Sequence, residues 1–83
     1  MEYTLKQEFK TFNQPFVIEP DGFSSIIFLS DGDLFINSID FSANGTAKFL
    51  LEPYVINATT YTITGHFTKV SVIKYYYIEI SNE

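Results

Sequence analysis

Eighty-three residues, 46% hydrophobic and 18% aromatic, suffice for one folded domain and are too apolar for a disordered chain. A formal charge of −5, with five lysines and no arginine, argues against a phosphate-binding face for nucleic acid or for an anionic membrane. The lack of cysteine excludes disulfides, thiolate metal sites and a thiol nucleophile.

Residues 1–8 carry neither the basic nor the apolar region of an export signal. No apolar run of about 18 residues is present to span a bilayer as a helix. Synthesis in a cytoplasm, without export by this route, is therefore expected. Ile, Val, Thr, Phe and Tyr dominate, and these branched and aromatic side chains suit a pleated surface rather than a helix. Residues 3–12 alternate, with Tyr3, Leu5 and Phe9 on one side and Thr4, Lys6, Glu8 and Lys10 on the other, which predicts a half-buried strand. Pro15 interrupts it, and Phe16-Val17-Ile18 resumes a short strand. Pro20-Asp21-Gly22 predicts a turn. The run Ile26-Ile27-Phe28-Leu29 within residues 24–30 reads as a strand buried on both faces, or as one covered by a neighbour.

Asp31-Gly32 predicts a hairpin, with residues 33–38 as its return strand and Ile39-Asp40-Phe41 continuing it or standing apart. Asn44-Gly45 predicts a tight primed turn. Residues 46–51 form the next expected strand, Tyr54-Val55-Ile56 a short one, and residues 60–64 another. Residues 70–80 are the longest β pattern. Val70, Val72, Lys74, Tyr76, Ile78 and Ile80 share one face; Ser71, Ile73, Tyr75, Tyr77 and Glu79 share the other. Both faces are largely apolar, which predicts a central strand or one whose second face meets a partner. The fold expected is a single all-β domain over residues 1–83: a compact antiparallel, jelly-roll-like sandwich of seven to nine short strands without a significant helix. A small β-barrel is the alternative.

Reactive chemistry finds little footing. His66 is the sole histidine and lies in no nucleophile motif. Asp31, Asp33 and Asp40 lack the spacing of a calcium loop, because Leu34, Phe35 and Ile36 follow the first two. No catalytic residue, cofactor or metal is expected. Asn44-Gly45-Thr46 and Asn57-Ala58-Thr59 match the N-glycosylation pattern, but turn geometry accounts for Asn-Gly. The triplet Tyr75-Tyr76-Tyr77 cannot make one flat platform, because neighbours on a strand point to opposite faces.

Residues 24–78 resemble small β-sandwich structural proteins of tailed-bacteriophage virions, namely auxiliary capsid or head-decoration proteins, head-fibre bases and related adaptors. The residues that carry the resemblance are Ile26-Ile27-Phe28-Leu29, the Asp31-Gly32 turn, Leu34-Phe35-Ile36-Asn37-Ser38-Ile39 before Asn44-Gly45, Phe49-Leu50-Leu51-Glu52-Pro53-Tyr54, and the closing strand of residues 70–80. The resemblance implies a non-enzymatic module, located in the virion, that docks on capsid or other virion proteins or assembles as a homo-oligomer, with a trimer favoured. The residues expected at such contacts are Tyr3, Phe12, Tyr75 and Tyr77, with residues 1–14 as an interface strand or arm. A carbohydrate-binding or host-adhesion module is the competing reading.

Overall fold

The computed structural model describes residues 2–52 and 55–80. Among these residues eight strands form: β1 (Glu2–Phe12), β2 (Phe16–Ile18), β3 (Ser25–Ser30), β4 (Phe35–Ile36), β5 (Ile39–Asp40), β6 (Thr46–Phe49), β7 (Tyr61–Thr64) and β8 (Val70–Ile80). They make two four-stranded sheets, ordered β1-β8-β3-β6 and β2-β7-β4-β5, with every pairing antiparallel. First pairs with last, second with second-last, third with sixth, and fourth with fifth. The chain is thus one long double ribbon, closed at the β4–β5 turn and wrapped on itself, which is the jelly-roll form of a β-sandwich.

The tip of that ribbon is a tight turn at Asn37-Ser38, both with positive φ (51° and 68°) as a primed turn requires. Asn37 tolerates this conformation because its side chain finds local partners. Its Oδ1 accepts from the Thr62 amide, and its Nδ2 donates to the Thr60 carbonyl.

Asp31-Gly32 is not a hairpin. β3 and β4 belong to different sheets, so the segment is a crossing between layers. Its glycine is needed for space: a Cβ there would lie 2.5 Å from the His66 carbonyl oxygen. The Asp31 carboxylate accepts from the Thr68 and Lys69 amides, both at 3.0 Å, and pins the crossing to the segment before β8. Asn44-Gly45 likewise joins different sheets, and only Gly45 of the pair has positive φ, so it is a turn without the primed form. The short strand expected around Val55-Ile56 is irregular backbone, and Tyr54 lies outside the described residues. That segment is held instead by Asn57, whose amide donates to the Phe23 carbonyl.

The core lies between the sheets. Ile26, Phe28, Val70 and Val72 come from the first sheet, and Ile18, Ile36, Tyr61 and Ile63 from the second. Phe28 meets Phe49 and Tyr61 edge-on, at centroid distances of 6.2 and 5.7 Å. The core extends over only part of the molecule's 50 Å length. β3 pairs with β8 from Val70 to Tyr75, whereas residues 76–80 of β8 pair only with residues 2–6 of β1. A two-stranded ribbon of about 17 Å therefore extends past the sandwich.

Candidate assembly surface

Register decides which side of each strand meets the core. Phe12 pairs with Val70, Lys10 with Val72 and Glu8 with Lys74, and Val70, Val72 and Lys74 are buried. The even-numbered side of β1 thus faces inward. Tyr3, Leu5 and Phe9 lie on the outer side, opposite to what a half-buried β1 leads one to expect. Leu5 is 51% exposed and Phe9 63%.

The neighbouring strands continue the same surface. Phe9 pairs with Ile73, which pairs with Ile27; Leu5 pairs with Tyr77; Tyr75 lies between Gln7 and Ser25; and Leu29 lies beside Ser71. Ile27 and Leu29 are the outward half of the run Ile26-Ile27-Phe28-Leu29. On the inner face of β3 Ile26 and Phe28 are fully buried; on its outer face Ile27 is half-buried and Leu29 40% exposed, while Ser25 is covered through its hydrogen bonds with Leu51. The outcome is an apolar and aromatic strip along the outer face of the first sheet, from the sandwich onto the ribbon. Lys48, on the edge strand β6, is the charge that pairs into it among the described side chains. The outer face of the second sheet is different in kind: Thr62 and Thr64 sit there on β7 beside Val17 and Phe35.

Of the four residues expected at contacts, Tyr3, Tyr75 and Tyr77 come together on this strip. Phe12 is set apart from them. It lies on the inner side of β1, stacked on Phe16 with centroids 3.8 Å apart, and packs against the core. Leu5, Phe9, Ile27 and Ile73 complete the strip. The alternation of β1 carried the signal for Leu5 and Phe9, but alternation does not say which side is inside.

A polar cluster at the base of the ribbon supports the strip from beneath. Lys74 is buried on the inner face, where its Nζ lies 3.2 Å from Asp21 Oδ2, 3.7 Å from Glu8 Oε1 and 5.4 Å from the centre of the Phe23 ring. Tyr76 donates its hydroxyl hydrogen to Asp21 Oδ1 at 3.0 Å, and its ring lies beneath Lys6 Nζ. Desolvation raises the Asp21 carboxyl, but hydrogen bonds from Lys74 and Tyr76 outweigh it and hold the group below its ordinary value. Desolvation, reinforced by the Asp21 carboxylate, pushes the Tyr76 phenol far upward, so the hydroxyl remains a donor. This cluster ties the base of the ribbon, through Lys74 and Tyr76, to Asp21 in the turn before β3.

His66 lies elsewhere. It is exposed on an open depression at the far end of the sandwich, with Asn13, Asp31 and Phe67 also on its walls. The Asp31 carboxylate there is engaged by two backbone amides, Lys69 first, which hold its carboxyl below the ordinary value. Among the described residues no three His, Cys, Asp or Glu side chains gather as a metal site, and no helix is long and apolar enough to cross a membrane. Asn57, in the second glycosylation pattern, is 4% exposed and uses both ends of its amide, donating to Thr59 and accepting from Tyr61. It is a buried bracket for the irregular segment and leaves no room for a glycan. No protein-family model matches this chain, and neither a curated protein nor a solved structure matches it.

Proposed function

We propose that the protein is a non-enzymatic structural component of a tailed-bacteriophage virion, an auxiliary capsid, head-decoration or head-fibre protein that works by packing against other virion proteins. The observation that carries this reading is the outward turn of the apolar side of β1. Leu5 and Phe9, both more than half exposed, join the half-buried Tyr3, Tyr75 and Tyr77 on the outer face of the sheet instead of filling the core. Contiguous exposed apolar surface of this kind is costly in a free molecule and marks a place that a partner covers. Tyrosines suit such a face, since each offers a large ring for packing and a hydroxyl for the wet rim. The eight-stranded jelly roll supports the reading by analogy of architecture, because capsid domains and lectins share it.

The test is made on particles. Antiserum raised against the protein should detect it in density-banded virions of the phage that encodes it. A variant with both Tyr75→Ser and Tyr77→Ser should fold and yet be depleted from those virions. Absence of the protein from banded particles overturns the proposal. Glycan-array binding lost in the same variant replaces it with the carbohydrate-binding alternative.

A further inference from the structure

The outer edge of β1 is a second open feature, distinct from the outer face. β1 ends its sheet, and among the described residues no strand pairs along its outer edge from Thr4 to Phe12. The edge backbone from Thr4 to Phe12 is thus open to another strand. The residues along it say which one.

Two antiparallel copies of β1 related by a two-fold axis through the edge can pair only in registers centred on one residue, because opposite residues must share a face. Centring on Gln7 pairs the whole of β1 with itself. Lys6 of one copy then faces Glu8 of the other, and Glu8 faces Lys6, so opposite charges meet twice on the inner face. Leu5 faces Phe9, and Phe9 faces Leu5, on the outer face. Centring on Lys6 or Glu8 instead sets like charges opposite each other. Centring on Phe9 matches Glu8 with Lys10 but pairs only residues 6–12.

We propose that a second copy of this chain occupies the β1 edge, in the antiparallel register centred on Gln7. Each ribbon, two strands wide in its own subunit, gains a third strand from its partner's sandwich half. An isolated two-stranded ribbon is marginal in water, whereas three or more strands with an apolar face are not. The joined first sheets become one eight-stranded sheet, and the two apolar strips become one continuous face. This contact uses the edge of β1 rather than its face, so it stands whether or not the face meets a virion.

The cysteine-free sequence makes the register testable. Opposite residues at Gln7 would have Cα atoms about 4.5–5.5 Å apart, within disulfide range. The two copies of Leu5 would lie about 13 Å apart, out of range. The full-length protein should sediment as a dimer. Gln7→Cys should oxidise to a covalent dimer, while Leu5→Cys and Phe9→Cys should each stay uncrosslinked alone and crosslink when mixed. Lys6→Glu should weaken dimerisation about tenfold, with an unchanged circular dichroism spectrum, because it sets two carboxylate pairs face to face. A monomer or trimer by sedimentation overturns the proposal. So does Gln7→Cys oxidising no faster than Leu5→Cys.

Discussion

Lys74 shows how one residue holds the junction of ribbon and sandwich. Its side chain is 9% exposed and its closest counter-ion, Asp21, is about half exposed. Removing one partner of a fully buried ion pair costs about 3–5 kcal/mol, but water can reach the Asp21 side here, and Glu8 remains near. Asp21→Asn should therefore lower stability by about 1–2 kcal/mol at neutral pH, read from urea midpoints. The Asp21 carboxyl lies below its ordinary value in the folded state. Its contribution is thus present above the unfolded value of 3.8 and is lost as pH falls through the lower folded value. The gap between wild type and Asp21→Asn should narrow as pH drops from 6 to 3; a gap independent of pH would refute the ion-pair account. Asn57 makes a comparable point without charge. Asn57→Ala leaves the buried Tyr61 hydroxyl without its acceptor and should cost about 1–3 kcal/mol in the same measurement.

Among the elements, β8 does two jobs along its length. Its first half is a central strand between β1 and β3; its second half is one side of the ribbon. The two halves should respond differently to truncation. Val72, buried on the inner face, should cost about 2 kcal/mol as Val72→Ala, while Ile78, 51% exposed on the ribbon, should cost about 0.5 kcal/mol or less as Ile78→Ala. Equal losses in urea unfolding would mean that the ribbon is packed as firmly as the core. The central half of β8 was legible in the sequence, since residues 70–80 are apolar on both faces, and so were the strands at Phe16-Val17-Ile18 and at residues 60–64. The orientation of β1 was not. Alternation distinguishes two sides of a strand, and only the pairing with β8, residues about 70 positions away, decides which side faces inward. The turns misled for a related reason. Asp-Gly at residues 31–32 has the chemistry of a hairpin but crosses between sheets, while the actual hairpin at Asn37-Ser38 lacks the glycine that would advertise it. Of the site, the tyrosines were legible from the period of a strand. Leu5, Phe9, Ile27 and Ile73 were hidden, because large apolar residues on a strand read first as core.

At the scale of the molecule, the wrapped-ribbon topology puts the most distant segments in contact. Glu2 pairs with Ile80 and Phe12 with Val70, so nearly the whole chain must be organised before β1 can close on β8. Refolding should accordingly take milliseconds to seconds rather than microseconds, as for other sandwiches dominated by non-local pairs. Stopped-flow dilution from urea, followed by tyrosine fluorescence since the chain has no tryptophan, measures this directly. Microsecond refolding would contradict the pairing of the two terminal strands.

That same pairing has a mechanical side. Residues 2 and 80 lie opposite each other at the tip of the ribbon, with the two strands running in opposite directions. Tension applied across those two points would load one cross-strand pair at a time, Tyr3 with Glu79, then Thr4 with Ile78, like a zip drawn open from its end. Pulling lengthwise on a single end and on the sandwich body would instead shear many backbone bonds together. Any filament or tether incorporating this domain would be weak if strung through both ends and far tougher if its load path entered through the body.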